Sequence, residues 1–385
     1  MSNQVFGFFM PAQNYIGVGA VKQVGELINQ LNARNVLVVT GEVIYKLGVA
    51  EQVGEIIRQA GAHVTYFSGV DPNPTDLNVA AGVELCLQES CDTIVAVGGG
   101  SSLDCAKAIA LVASNGGTIQ DYEGIDRSKK PVLPLITINT TAGTASEMTR
   151  ISVITDTSRL HKMVIVDKHI TPAISINDPE LTIPLSAELT AGTGMDALTH
   201  AIEAYVSPLA NPVTDACALQ AIRLIGENLP SAVQNGQNIE ARSNMMQAQF
   251  LAGMAFNNAL LGYVHAIAHQ LGGLYNLPHG LCNAILLPHV CSFNLDAKPE
   301  RYAQIAIALG QDVAGLSTIE AAQKAVEAIQ SLAQTVGIPA GLSAIGVKES
   351  EIPKLAELAM KDPCALFNPK QATLDDVIGM VTSAM

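Results

Sequence analysis

Asp196, His200, His265, His269 and His279 are residues whose types and spacing can do chemistry together. They fall in two clusters, G-M-D-A-L-T-H at 194–200 and H-A-I-A-H-Q-L-G-G-L-Y-N-L-P-H-G at 265–280. Residues four apart on a helix project from one face. Asp196 with His200, and His265 with His269, therefore each offer a pair of donors pointing the same way. Imidazole and carboxylate are borderline-to-hard ligands, suited to iron, zinc, manganese or cobalt rather than to thiolate-loving ions. An ion held this way acts as a Lewis acid on an oxygen. A lone histidine on an apolar helix is normally a hydrogen-bonded core residue. Here polar groups recur at four-residue spacing in segments otherwise rich in Ala, Gly and Leu, and burying each unpaired would cost about 1–3 kcal/mol. A shared metal removes that cost. Spacing alone leaves two ligand sets open. One is Asp196, His200, His265 and His269; the other has His279 in place of His269, with Pro278-His279-Gly280 read as a turn that folds back. His63, His161, His169 and His289 lack companions at ligand spacing and read as surface or structural residues.

A second chemistry lies in V-A-V-G-G-G-S-S-L-D at 95–104. A strand runs into three glycines, and a helix is expected from Ser101 or Ser102. Glycines let a backbone approach a pyrophosphate, and a helix N-terminus supplies free N–H groups and a positive dipole end. The bland alternative is an ordinary tight strand–helix turn. Asn139-Thr-Thr-Ala-Gly-Thr-Ala-Ser-Glu147 follows another expected strand; its hydroxyls can line a nucleotide or simply cap a turn. Gly17-Val-Gly-Ala-Val-Lys22 begins like a dinucleotide fingerprint but has Lys22 where the third glycine belongs, and reads as a turn.

These motifs need elements to carry them. Val36–Thr40, His63–Phe67, Thr93–Val97 and Pro134–Asn139 are short apolar or β-branched runs that read as buried strands. Between them Val49–Ala60, the stretch from Thr75 as cap to about Glu89, and Leu103–Ala113 read as helices. Alternation at this spacing means βαβ units, a parallel sheet with helices on both faces and right-handed crossovers. After about Leu185 the pattern turns helical: Ser186–Val206, Ala216–Glu227, Ala241–Phe256, Leu260–Leu274, Ile319–Thr335 and Ile352–Ala359. The expectation is an α/β nucleotide-binding domain over 1–185 and an all-helical metal-binding domain over 186–385.

The bulk numbers narrow the partners. The chain has 385 residues, 49% of them hydrophobic, with only 15% charged and 4% aromatic. Helices packed by Ala, Leu, Ile and Val fit that composition, and so does surface buried in a homo-oligomer. The formal charge of −14 argues against nucleic acid, whose phosphates need Lys and Arg. Met1–Pro11 has no basic residue before its short apolar run and does not read as a secretory signal. No apolar stretch reaches the length of a membrane span. Seven cysteines with no C-x-x-C pair point to a reduced, cytoplasmic chain.

G-G-G-S-S-L-D-C-A-K-A, N-T-T-A-G-T-A-S-E, T-G-M-D-A-L-T-H-A-I-E-A-Y and G-Y-V-H-A-I-A-H-Q-L-G-G-L-Y-N-L-P-H-G together resemble the iron-dependent (type III) alcohol dehydrogenases, over essentially the whole chain. The resemblance is closest to the bacterial branch that includes NAD-dependent methanol and ethanol dehydrogenases and lactaldehyde/1,2-propanediol oxidoreductase. It implies an active site in the cleft between the two domains, with metal ligands at Asp196, His200, His265 and His279 and with His269 handling protons near the nicotinamide. It implies cofactor contacts at Asn73, Gly99, Gly100, Ser101, Asp104, Thr140, Thr141 and Lys162. The implied ion is Fe2+, with Zn2+ or another divalent metal able to occupy the same donors. The implied reaction is reversible hydride transfer between a short-chain primary alcohol and NAD, the proton leaving through His269, water or the ribose hydroxyls. Many relatives carry an acidic residue after the V-T of the first nucleotide strand, where it accepts from the ribose 2′-OH; this chain has Gly41, followed by Glu42. NAD with tolerance of NADP is the expectation. Phe256 and Ile151 are candidates to narrow a pocket around small alcohols, although core packing explains Ile151 as well. Two other classes remain to be weighed. A dehydroquinate-synthase-like lyase would need Lys and Arg near the motifs for phosphate and carboxylate, and the helical half has few. A non-enzymatic metal- and nucleotide-binding sensor is the remaining alternative.

Overall fold

The computed structural model describes residues 5–159 and 161–385, so the first four residues of the N-terminal segment read above lie outside it. The chain divides into two compact units, Met1–Thr141 with Ala145–Thr182, and Ala142–Thr144 with Ile183–Met385.

The first unit runs β1 (Gln13–Ile16), α1 (Val24–Gln30), β2 (Asn35–Gly41), α2 (Glu42–Lys46), α3 (Val49–Gln59), β3 (His63–Val70), α4 (Asp76–Gln88), β4 (Thr93–Gly98), α5 (Gly100–Asn115), β5 (Gly124–Ile125), β6 (Leu135–Asn139), β7 (Ile151–Asp156), β8 (His161–Val166) and β9 (Ile174–Asn177). Six strands form one sheet in the order β1-β9-β6-β4-β2-β3, every pair parallel. Alternate residues of each strand feed two cores. Leu37, Val39, Ile94 and Ala96 pack on one face with Leu103, Ile109 and Val79 of α5 and α4. Val36, Val38, Val95 and Val97 pack on the other with Leu27, Ile28, Val53 and Ile57 of α1 and α3. Burial on both faces is why these strands are continuous apolar runs rather than alternating ones.

The capping expected at Thr75 is present: its hydroxyl accepts from Asn78 N at 3.2 Å, and Asn78 Oδ1 accepts from Thr75 N at 3.0 Å. Gly17 and Gly19 lie in a turn with positive φ. Three features depart from expectation. Helix α5 starts at Gly100, so Ser101 and Ser102 belong to its first turn. Strands β9 and β1 extend the sheet beyond β6, with β1 at its edge. A second, three-stranded sheet in the order β5-β8-β7 contains an antiparallel hairpin of β7 and β8. That hairpin's connection is held by Asp156, whose Oδ1 accepts from Ser158 N at 2.8 Å and Arg159 N at 3.1 Å, a side-chain turn without the glycine that signals a hairpin in sequence.

The second unit runs α6 (Ala187–Val206), α7 (Pro212–Gln234), α8 (Ile239–Ala259), α9 (Tyr263–Tyr275), α10 (His279–Asn294), α11 (Pro299–Ala308), α12 (Thr318–Thr335), α13 (Ile352–Ala359) and α14 (Leu374–Ser383), with no strand among the described residues. Helix α6 is central and packs against α7, α8 and α10. Its apolar residues surround the axis because nearly all of it is buried. Glycines let α6 and α10 meet: a Cβ on Gly280 would lie 2.5 Å from the carbonyl oxygen of Gly192 and 3.3 Å from Cβ of Asp196. His279 was expected on a turn; it is the first residue of α10, with Pro278 as the preceding cap residue. Leu260, at φ 63°, breaks the continuous stretch expected over 260–274, and α9 starts at Tyr263. Helices α10, α11 and α14 were not expected; Pro288 inside α10 and the short length of the other two obscure their periodicity. No single helix among the described residues is long and apolar enough to cross a membrane.

Candidate metal centre and nucleotide site

Asp196 and His200 stand one turn apart on α6, His265 and His269 one turn apart on α9, and His279 opens α10. Asp196 Oδ1 lies 3.9 Å from His200 Nε2 and 3.8 Å from Nε2 of both His265 and His279. One donor atom each from Asp196, His265 and His279 sits within 4.8 Å of the others. His200 stacks on His265 at 4.7 Å between ring centroids, with Phe256 of α8 against its other side at 4.2 Å. Asp196, His200 and His265 are buried, whereas His279 keeps about a third of its side chain exposed. One carboxylate oxygen thus faces three imidazole nitrogens at the spacing of donors around a common ion. Burial pushes the His200 imidazolium pKa down to about 4 and that of His265 down to about 3, against the partial pull of Asp196. Both rings are therefore neutral at pH 7, with a lone pair free to donate. The donor set is hard-to-borderline and fits Fe2+ or Zn2+.

His269 has a different engagement. Its Nδ1 lies 2.9 Å from Asp362 Oδ2, and its ring lies 5.5 Å from that of His279 and 6.0 Å from that of His265. It borders the cluster while bound to a carboxylate of its own. Cys364 follows on the turn that Asp362 caps, its amide donating to Asp362 Oδ1 at 2.9 Å.

Sequence reasoning missed Glu203 and Asp362. Glu203 lies one turn beyond His200 on α6, buried; Oε2 is 2.6 Å from His265 Nδ1, and Oε1 accepts from Val264 N at 2.8 Å. Burial raises its carboxyl pKa to about 7, against the pull of the Gly262 and Val264 amides. A carboxylate behind a ligating histidine fixes the ring's tautomer and raises its basicity. Glu203 had a legible signal, an acid three residues after His200; Asp362 had none, being 93 residues from its partner.

The first unit supplies a separate constellation at the carboxyl ends of β2 and β4. The chain leaves β2 for β3 on one side and returns to β4 on the other, and ligands bind parallel sheets at such a switch point. Gly41 ends β2, and Gly98 and Gly99 link β4 to α5. A Cβ on Gly99 would lie 2.9 Å from Thr141 Cγ2, and Gly98 has φ 152° with Ser102 Oγ 2.5 Å from its would-be Cβ. Side chains are excluded here, and the first N–H groups of a 16-residue helix, those of Gly100, Ser101 and Ser102, face out of its end. Thr140 N donates to Gly98 O at 3.0 Å, joining the two loops, and Thr141 N donates to Asn139 Oδ1 at 3.1 Å. Ser101 Oγ donates to Pro72 O at 2.5 Å, and Lys162 Nζ to Asn73 Oδ1 at 2.9 Å. Asp104 points inward: Oδ1 accepts from Ser146 Oγ at 2.5 Å and Oδ2 from Val153 N at 3.0 Å. Buried Lys107 donates to Ser146 Oγ, Thr149 Oγ1 and Ile151 O at 2.8–3.0 Å. Ile151 is thus a backbone anchor at the start of β7. Glu42, the expected stand-in for an acid at position 41, is exposed and paired with Lys46 at 2.5 Å.

A switch-point cradle in one unit and an acid–histidine cluster in the other fit a nucleotide- and metal-dependent enzyme. Family comparison makes that specific. The model for iron-containing alcohol dehydrogenase matches residues 11–179, and that for the C-terminal part of the Fe-containing alcohol dehydrogenase family matches residues 190–385. The chain belongs to the iron-containing alcohol dehydrogenase family. It is 51% identical over 378 residues to the NAD-dependent methanol dehydrogenase of Bacillus methanolicus, covering 98% of this chain and 99% of that one. It is 49% identical over 386 residues to the 1,3-propanediol dehydrogenase of Klebsiella pneumoniae, with 100% of each covered. Its fold superposes on the crystal structure of a 1,3-propanediol oxidoreductase with TM-score 0.98 at 49% identity, covering 99% of this chain and 100% of that one. As a member of that family, the chain is an alcohol oxidoreductase.

Proposed function

We propose that this enzyme interconverts short-chain primary alcohols and their aldehydes, methanol, ethanol, propanol, butanol and 1,2-propanediol being the range, with 1,3-propanediol added by its relatives' names. The observation that carries this reading is Asp196 Oδ1 standing 3.8–3.9 Å from three histidine Nε2 atoms. Asp196, His200, His265 and His279 hold the ion; Glu203 keeps His265 Nε2 bare. Bound in that set, a divalent ion would supply Lewis-acid polarisation for an alcohol or aldehyde oxygen, and NAD bound at the start of α5 would supply the hydride acceptor or donor. Phe256, against His200, lines the substrate side and favours small alcohols. His269 passes the released proton, its Nδ1 held by Asp362 and its Nε2 left to exchange with solvent.

The residues at 1–185 carry the nucleotide and those at 186–385 the metal. Gly99, Gly100 and Ser101 take the pyrophosphate at the start of α5, with Thr140 and Thr141 beside it and Asn73 and Lys162 as an outer pair. Asp104 serves by holding the 140–146 loop rather than by touching the nucleotide. With Gly41 in place of an acid and Glu42 turned to Lys46, nothing at the end of β2 repels a 2′-phosphate, so NADP is accepted beside NAD. The chain works as a homodimer or larger homo-oligomer in the cytoplasm, where its seven free cysteines stay reduced.

One assay tests the reading: NADH and NADPH formation with the alcohol panel, with and without chelator, for wild type and His265→Ala. Expected are chelator-sensitive turnover of at least one small primary alcohol and loss of both metal and turnover in the variant. Chelator-insensitive turnover, or none with any alcohol, sinks it. A kcat/KM ratio between NAD and NADP above about a thousandfold, roughly 4 kcal/mol, removes the role given to Gly41.

A further inference from the structure

Two of the helices that carry the metal donors meet backbone to backbone beside those donors. Gly192 stands one turn before Asp196 on α6, and Gly280 follows His279 in the first turn of α10. Residues four apart share a helix face, so Gly192 and Asp196 look toward the same neighbour. A Cβ on Gly280 would lie 2.5 Å from the carbonyl oxygen and 2.9 Å from the carbonyl carbon of Gly192, and 3.3 Å from Cβ of Asp196. Ordinary contact begins at 3.4 Å. The two closest atoms are main chain within a helix, so neither can swing aside. The reverse substitution is different. A Cβ on Gly192 would meet the Leu281 amide nitrogen at 3.8 Å and the Gly280 carbonyl carbon at 4.0 Å, both ordinary contacts. Neither glycine has a positive φ, so space alone decides, and only position 280 lacks it.

Nitrogen and oxygen donors lie about 2.0–2.2 Å from a shared Zn2+, so no two of them can stand more than about 4.4 Å apart. Asp196 Oδ1 and His279 Nε2 are 3.8 Å apart. That leaves roughly half an ångström of slack. A methyl group at position 280 has to push the start of α10 away from α6 by a comparable distance. We propose that Gly280 is a positioning residue of the metal centre: by leaving room for the Gly192 carbonyl, it lets α10 close on α6 until His279 comes within reach of an ion held by Asp196. The contact is main chain against main chain and uses no lone pair of any donor, so it persists when the ion binds. The proposal rests on the ligand assignment made above.

The test uses the full chain, stripped of metal and reloaded. Zn2+ affinity is measured by competition with a chromophoric chelator, and the ligand field by the d–d spectrum of the Co2+ form. Gly280→Ala is expected to weaken Zn2+ binding roughly 10–100-fold, as disturbing the groups that orient ligands does, and to shift the Co2+ bands. Gly192→Ala, whose methyl group fits, is expected to match wild type in both. Placed in a His279→Ala background, Gly280→Ala should cost nothing further, because a residue that acts through His279 then has nothing left to position. An equal loss in both backgrounds marks general damage to the helix pair and overturns the role. So does Zn2+ affinity within about twofold of wild type with an unchanged Co2+ spectrum in Gly280→Ala, or a Gly192→Ala variant as impaired as Gly280→Ala. Should Gly280→Ala not fold, Gly192→Val crowds the same crossing from the α6 side, and wild-type affinity and spectrum there overturn the proposal instead. His279→Ala alone is the control: wild-type affinity there brings down the ligand assignment and this proposal with it, whereas weakened affinity there with none in Gly280→Ala brings down only the latter.

Discussion

His265 shows how much of the chemistry is set by groups that never meet the substrate. Its ring is neutral because burial lowers its pKa to about 3, and its orientation is held by Glu203 at 2.6 Å. Glu203→Gln keeps the volume but replaces an ionisable acceptor with a neutral amide. Metal affinity should fall by roughly tenfold or more, measured by chelator competition, with nucleotide binding unchanged; unaltered affinity would remove Glu203 from the account. His269, tied to Asp362 rather than to Asp196, predicts the opposite pattern. His269→Ala should retain metal and lose about 10²–10⁴-fold in kcat, the usual worth of a placed acid–base group. Metal analysis of the purified variant decides it, since loss of the ion there would make His269 a ligand.

At the scale of elements, the start of α5 is the most exacting piece of backbone. A side chain at position 99 collides with Thr141, so Gly99→Val should raise KM for NAD at least tenfold while leaving bound metal at the wild-type ratio. Equal KM values would detach the helix terminus from the nucleotide. Further along α5, Lys107 fastens the helix to the 146–151 segment, and burial lowers its pKa to about 8 from the ordinary 10.5. Below about pH 8 the lysine is protonated both folded and unfolded. Between about 8 and 10.5 the unfolded chain holds a proton that the native chain has released, so this group makes stability rise with pH across that window. Lys107→Met should flatten that rise in urea midpoints taken from pH 7 to 10. An unchanged slope would mean that Lys107 titrates normally.

Across the whole molecule, the metal is a fastener as well as a reagent. The four proposed ligands come from three separate helices, α6, α9 and α10. An ion that binds only the folded arrangement stabilises it by about 2.7 kcal/mol at a hundredfold excess over its dissociation constant. Stripping the metal should lower Tm by several degrees and re-addition should restore it; a Tm indifferent to metal would argue that the donors do not share an ion. The −14 formal charge argues against a polyanionic partner such as nucleic acid.

Local pattern made much of this protein legible. The strands of the parallel sheet show as apolar runs because both their faces are buried, and Asp196/His200 and His265/His269 show as pairs because a helix repeats every four residues. The hairpin of β7 and β8 did not show, since its turn is made by the Asp156 side chain rather than by glycine. Spacing also left His269 and His279 equal as ligands, and it took His279 for part of a turn. The two are placed differently in the structure: α10 begins at His279 and carries its Nε2 to 3.8 Å from Asp196, while Asp362, distant in sequence, engages His269. Asp362 could not be read for the same physical reason. Periodicity records which face of an element is buried, but which donor meets which acceptor depends on how helices cross, and that is decided only when the chain packs.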